Sequence, residues 1–325
     1  MKTLKHYTFV TVMVLFCTIY CNGQNSSQSA INIYIAGSYM DGNTEKACYW
    51  KNGVRTDLDG IQASGIYISD GKIYLAGTFL KRDYWGGNNH KLPCYWIDGV
   101  RTAADLSSGN YEVKSMTVIN GSVYFSARNT NGTDYFIYGN GSIQVDTKKK
   151  YINYITSSDG ALLFSLNDDV ASFYSAYGQS VHLGNSVPHG IFVDNGSIYV
   201  AGSSYAYTSN YFIREFKPCY WVDGIKKELP GDGSAERIGV ANGVIHITGS
   251  KYVNGKNEPI YWINGLNREI PSAASFSEIT VFEGSVYITG SFRQGGINMA
   301  CYWVNGERFA LPGGRSATGI CIVRE

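Results

Sequence analysis

Charge is scarce in this chain. Asp, Glu, Lys and Arg make up 16% of 325 residues, and 27 basic against 26 acidic side chains leave a net charge of +1. Without a field of one sign nothing steers the protein to nucleic acid or anionic lipid, and 14% aromatics with 26 tyrosines exclude a disordered chain. Proline is rare at 7 residues whereas glycine reaches 38, a balance that predicts tight turns between short strands rather than long helices. Long apolar runs are missing as well. The one candidate, Phe9 to Cys17, is too short to span a bilayer. Length alone would allow two domains, although propellers of this size are single domains.

That short run follows Lys2 and Lys5 and ends at Cys21-Asn22-Gly23, the layout of a secretory signal peptide over residues 1–23 cut before Gln24. A competing reading anchors a lipoprotein through Cys17 or Cys21, but bulky Phe16 and Tyr20 precede those cysteines where a lipid-attachment signal prefers small residues. With the two lysines removed, the remainder carries a charge near −1. The expectation is a secreted, periplasmic or cell-surface protein with a linker at 24–30, one folded domain at 31–325 and no transmembrane segment in the mature chain.

The rest of the chain repeats. A tyrosine four residues before a glycine recurs seven times, at Tyr49, Tyr95, Tyr135, Tyr174, Tyr220, Tyr261 and Tyr302, with a period of about 42. Five copies read Tyr-Trp-x-Asn/Asp-Gly, as in CYWKNG from Cys48 and IYWING from Ile260; DYFIYG from Asp134 and FYSAYG from Phe173 are worn. Ahead of each lies a second motif of two apolar runs around a turn, such as GIYISDGKIYLAG from Gly65. Asp70-Gly71, Asn120-Gly121, Asp159-Gly160, Asn195-Gly196 and Asn242-Gly243 accept the positive φ angles of a two-residue hairpin, with Glu283-Gly284 a weaker version. Each repeat is therefore expected to be a four-stranded antiparallel meander, strands a to d. Only six a-to-b hairpins are intact. ATGICIV from Ala317 reads as a seventh strand a and INIYIAG from Ile31 as its strand b, so the two ends are expected to pair and close a seven-bladed ring.

In these two motifs the chain resembles the secreted bacterial seven-bladed β-propeller-like repeat proteins, over residues 31 to 323. The resemblance implies an all-β propeller and carries no activity and no functional residue. The Gly-His and Trp-Asp signatures of WD40 repeats and the Asp box of sialidases are missing from the sequence.

Chemistry-bearing residues are few. Cys48, Cys94, Cys219 and Cys301 share one strand c position in different blades, so they read as buried small hydrophobes out of disulfide reach, with Cys321 the odd one. His246 replaces a strand b tyrosine, and Asp70, Asp98, Asp159 and Asp223 serve turns. No Cys or His spacing, phosphate loop or nucleophile motif suggests a metal, a cofactor or a catalytic centre. Meander topology puts the b-to-c and d-to-a connections at one end, and two b-to-c segments are long: 78–93, with Arg82, Tyr84, Trp85 and His90, and 203–218, with Tyr205, Tyr207, Tyr211, Phe212 and Arg214. Aromatics beside basic donors suit a glycan or a protein surface, so Arg82, Tyr84, Trp85, Tyr205, Tyr207, Tyr211 and Arg214 are the candidate ligand-binding residues. The alternative is that they pack on one another. The expected function is a non-catalytic binding module. A polysaccharide hydrolase or lyase would need two converging carboxylates among Asp41, Glu45, Asp83, Asp168, Asp169, Glu215 and Glu258, and an assembly role would use the worn repeats as an interface.

Overall fold

The computed structural model describes residues 29–82, 89–106, 108–130, 134–146, 151–167, 171–175, 179–207, 214–254 and 256–325. They form seven four-stranded antiparallel sheets. The innermost strands a are Gln62–Ser69, Tyr111–Ile119, Tyr151–Ser158, Ser186–Asp194, Ser234–Ala241, Ala273–Phe282 and Gly314–Arg324. Strands b, in the same order, are Lys72–Arg82, Ser122–Asn129, Ala161–Asn167, Ser197–Tyr207, Val244–Val253, Ser285–Gln294 and Ile31–Asp41. Strands c are Asn89–Ile97, Tyr135–Gly139, Ala171–Ser175, Arg214–Val222, Lys256–Ile263, Ile297–Val304 and Thr44–Lys51. Short outer strands d run Val100–Ala103, Ser142–Asp146, Ser180–Gly184, Ile225–Glu228, Leu266–Arg268, Glu307–Ala310 and Val54–Asp57.

The expectation of a seven-bladed propeller with its ring closed by the chain ends is corrected. Only six blades, here numbered one to six from residue 62 to residue 310, are each built from one continuous stretch of chain. What stands at the chain ends is a composite sheet, in which Gly314–Arg324 pairs with Ile31–Asp41. Its strand a lies against those of blade six and blade one. Arg324 bonds Glu283 of blade six, while the Glu325 carboxylate accepts hydrogen bonds from Tyr34, Asn32 and Lys51.

The turns explain the Asx-Gly pairs. Asn, Asp and Glu at the first position of the a-to-b and c-to-d turns all have φ between 47° and 51°, which a two-residue hairpin requires. In the c-to-d turns the side chain adds a second restraint. Asn52, Asp98, Asp223, Asn264 and Asn305 each accept the backbone N–H that opens strand b at 2.8–2.9 Å, tying the third strand to the second.

The Tyr-Trp dipeptide holds the sheets together. Strand alternation sends the two rings to opposite faces, so each sheet gives its Tyr to one neighbour and its Trp to the other. Tyr302 packs in one cluster with Trp50, Tyr49 with Trp96, Tyr220 with Trp262, and Tyr261 with Trp303. These tryptophans and Trp221 are at most 1% exposed. A glycine in strand b makes room for the ring: a Cβ on Gly37, Gly202 or Gly249 would overlap a strand a carbonyl and crowd Trp50, Trp221 or Trp262.

Pairing corrects the phase of the worn copies. In blade two Ser126 faces Ile137 where Ala36 faces Tyr49, so Ile137-Tyr138 fills the Tyr-Trp slot and the turn falls at Asn140-Gly141, two residues later than the Tyr135/Gly139 spacing implies. In blade three Tyr174 stands in the Trp slot, one residue out of phase. A tyrosine four residues before a glycine is a short enough pattern to recur beside the true position. Where the Trp is missing, the strand b glycine is missing too, replaced by Ala127 and Leu166.

The five described cysteines are free, as the shared position of Cys48, Cys94, Cys219 and Cys301 predicts for those four. Burial pushes the Cys48 and Cys301 thiols up to about 12 and those of Cys219 and Cys321 to about 11. His246 is core: its Nδ1 lies 2.6 Å from the Tyr261 hydroxyl.

Candidate functional site

Every strand a carries a bulge at the same place. The extra residues are Ser64, Lys114, Asn153, His189, Glu236, Ser277 and Thr318, and the residues after them are Gly65, Ser115, Tyr154, Gly190, Arg237, Glu278 and Gly319. Bulges re-aim side chains, and here they point polar groups into the axial channel. The three glycines allow close approach: a Cβ on Gly319 would press on Gly65, one on Gly65 on Met116, and one on Gly190 on the Glu236 backbone. Thr318 and Asn153 donate to Ala63 and Pro188 carbonyls, each just ahead of the next bulge.

The remaining positions build an ionic constriction. Arg237 Nε lies 3.3 Å from the Glu278 carboxylate, and its guanidinium sits 4.8 Å from the Tyr154 ring centroid, joining blades three, five and six. The pair keeps 21% and 16% side-chain exposure, so it faces the channel rather than a dry core. Burial pushes the Glu278 carboxyl up while Arg237 holds it back, and burial followed by Glu278 raises the Tyr154 phenol. Burial and then Arg237 hold His189 down at about 4, so it is neutral at pH 7. Lys114, lowered by burial, shares Glu112 with Arg128 at 3.0 and 2.7 Å. Tyr154 and Glu278 also line a cavity of about 180 Å³, together with Ser64, Thr117, Thr156 and Thr280 and the apolar Ile66, Met116 and Ile191. One carboxylate and its paired arginine do not make the two-carboxylate site of a glycosidase.

The b-to-c hairpins and d-to-a connections share the end of the molecule nearer the bulges. Five of them raise an exposed apolar side chain there: Leu80, Phe216, Tyr252, Ile297 and Met40 are 41–75% exposed. Between the hairpins of blades five and six lies a trough of about 800 Å³ bordered by Lys256, Asn257, Glu258, Ala273, Arg293 and Asn298. A second, of about 570 Å³, lies between blade six and the composite sheet, bordered by Ile297, Asn298, Arg315, Met40, Asn43 and Glu45. Asn298 is common to both, so the blade six hairpin is the ridge dividing them.

Of the residues singled out in the sequence, Arg82 ends strand b of blade one, is exposed and pairs with Asn89. Tyr205 is only 7% exposed and packs edge-on against Phe216 at 5.9 Å, so this aromatic braces its hairpin instead of presenting its ring. Tyr207 and Arg214 oppose each other in the ladder, extending the hairpin where an irregular loop was expected. His90 accepts the Gly109 N–H at 3.3 Å. Tyr84, Trp85, Tyr211 and Phe212 lie outside the described residues, as do Asp83, Asp168 and Asp169. Glu45 and Glu258 border different troughs, and each is engaged, Glu45 by Ser38 at 2.5 Å and Glu258 by Lys251 at 3.3 Å. The troughs escaped sequence reasoning because their hairpins are short; the only signal was a basic residue in each of Lys256, Arg293 and Arg315.

Strand-by-strand, this is a β-propeller. No family model matches the chain, and no curated protein matches it. Solved structures do: the β-propeller domain of the Trilobed protease from Pyrococcus furiosus aligns over 76% of this chain and 82% of its own at 12% identity and a TM-score of 0.48. TolB from Acinetobacter baumannii aligns over 90% and 83% at 11% identity and 0.46. The Pyrococcus horikoshii acylaminoacyl peptidase aligns over 76% of this chain but only 45% of its own, at 15% identity and 0.47. At these values no activity comes with the likeness. Among the described residues no helix is long and apolar enough to cross a membrane, and no group of His, Cys, Asp and Glu could hold a metal ion.

Proposed function

We propose that the protein is a non-catalytic binding module that presents its hairpin face to a protein partner, delivered outside the cytoplasm by residues 1–23. The observation that carries this reading is the set of exposed apolar side chains, Met40, Leu80, Phe216, Tyr252 and Ile297, raised on one face by five separate hairpins. Exposed apolar groups with a polar rim are what a protein interface desolvates. Arg82, Tyr84, Trp85, Tyr207, Tyr211 and Arg214 belong to the same face in this reading, with Tyr205 as a brace. A glycan remains the second occupant, supported by Tyr252, 75% exposed and opposite Asn257 in its hairpin.

Photo-crosslinking residues placed at Leu80, Phe216, Tyr252 and Ile297 test this in the cells that make the protein. Val54, Val100, Ile225 and Leu266, 59–71% exposed on the outer strands, serve as controls. Discrete protein adducts from the hairpin set and none from the controls are expected. Equal labelling of both sets, or none from the hairpins, would overturn the proposal.

A further inference from the structure

The hairpin face is not uniform. Along blade five, blade six and the composite sheet, each sheet offers one exposed apolar group and one exposed cation: Tyr252 with Lys256, Ile297 with Arg293, Met40 with Arg315. Lys256 and Arg293 border one trough, and Ile297, Met40 and Arg315 the other. Exposed cations elsewhere on the molecule are of both kinds: Lys51, Arg55, Lys217, Lys226 and Arg324 have carboxylate partners, whereas Lys72, Lys227 and Arg268 have no ion pair among the described residues. Lys256, Arg293 and Arg315 have no ion pair among the described residues; of the two trough carboxylates, Glu258 is paired with Lys251, while Glu45 accepts a hydrogen bond from the Ser38 hydroxyl and keeps its charge beside Arg315.

From this charge pattern we infer that the paired troughs hold an extended acidic segment of a partner protein, in which carboxylates alternate with large apolar side chains. A strand-like segment suits the face because its side chains alternate in direction with a period of two. Carboxylates would meet the cations while the apolar side chains would meet Ile297 and Met40 in the trough beside the composite sheet, Tyr252 standing on the blade five hairpin outside both troughs. The inference rests on the protein-partner reading above and names the chemistry of that partner.

The test is fluorescence polarisation with a labelled peptide, Gly-Glu-Leu-Glu-Leu-Glu-Leu-Glu-Gly, against its counterpart with glutamine in place of every glutamate. The glutamate peptide is expected to bind saturably, about ten-fold more tightly than the glutamine peptide, with the difference shrinking as salt rises. A Lys256→Gln/Arg293→Gln/Arg315→Gln variant should lose that preference while keeping its thermal midpoint, since these exposed cations have no ion pair and the one side-chain bond among them, from Arg293 to Asn298, is long and exposed. Ile297→Ser should weaken both peptides alike. Failure of the glutamate peptide to bind, equal affinity for the two peptides, or an unchanged preference in the triple variant would overturn the inference. If hairpin crosslinks to a protein persist in that case, the binding-module reading stands and only the acidic occupant fails.

Discussion

Blades one, four, five and six and the composite sheet keep the Trp, whereas blades two and three have lost it, and the two groups solve the same packing problem differently. In the first group an indole crosses strand b at a glycine and packs against the neighbouring sheet. In blade two the slot holds Tyr138, 4% exposed and stacked on Phe125 at 5.1 Å, with Ala127 in place of the glycine. Gly and Trp are therefore one unit, since the ring needs the missing Cβ and a smaller ring does not. The worn blades also contribute Lys114, Ser115, Asn153 and Tyr154 to the channel, where blades one and four and the composite sheet place glycine at the residue after the bulge. Polar groups on the axis also come from Trp-bearing sheets, since blades five and six place Arg237 and Glu278 at that position.

The largest effect should come from the shared ring itself. Trp262→Ala is expected to cost about 3–5 kcal/mol and Tyr138→Ala about one less, read from denaturant midpoints. Equal costs would mean that the slot, and not the indole, sets the energy. Next is the bridge between the two kinds of blade. Glu278→Leu leaves Arg237 without its counter-ion and should cost roughly 2–3 kcal/mol, reduced from the fully buried case by channel water, while adding Arg237→Met should recover most of it. A double variant as unstable as the single one would show that the pair is more than a self-compensating plug.

His189 gives an effect of similar size that depends on pH. Its folded value of about 4 lies below the ordinary 6.5, so the unfolded chain takes up the proton first and stability falls as pH drops from about 6.5 to about 4. The loss reaches up to about 3 kcal/mol, and His189→Gln should flatten that part of the thermal-midpoint profile. Glu278, shifted upward, acts with the opposite sign in both proteins and cancels in the difference.

Smaller effects sharpen the comparison. Gly249→Ala should destabilise by about 1–3 kcal/mol because its Cβ would strike the Ser234 carbonyl and the Trp262 ring, whereas Ala127→Gly should cost about 1 kcal/mol or less. Smallest is the turn lock. Asn264→Ala gives up both the positive φ preference and a bond to the Ile245 N–H, while Asn140, bonded instead to the Tyr124 hydroxyl, should lose about 1 kcal/mol less on the same change in thermal unfolding.

Much of the architecture was legible because it depends on neighbours in sequence. Asx-Gly pairs specify the hairpins, and the spacing between them specifies four strands per repeat. The phase of blades two and three was not legible, since Tyr135 and Gly139 satisfy the spacing while the ladder pairs Ile137 with Ser126. Nor was the burial of Tyr205, an aromatic whose fate depends on Phe216 across the hairpin. Of the candidate site, the sequence placed the b-to-c connections at one end of the molecule and singled out two long ones, where the described residues extend the strands as far as Arg82 and Tyr207. It did not find the troughs, which take their walls from short hairpins of adjacent sheets.

By itself, then, the sequence determined the strands, their turns and the shared cysteine position, all properties of one repeat. Only the tertiary structure decided that six blades are continuous and one sheet is composite, that Arg237, Glu278 and Tyr154 meet on the axis, and that Lys256, Arg293 and Arg315 share an arc. Local rules set backbone conformation within a few residues, but groups from different blades become neighbours only when the sheets pack around a common axis.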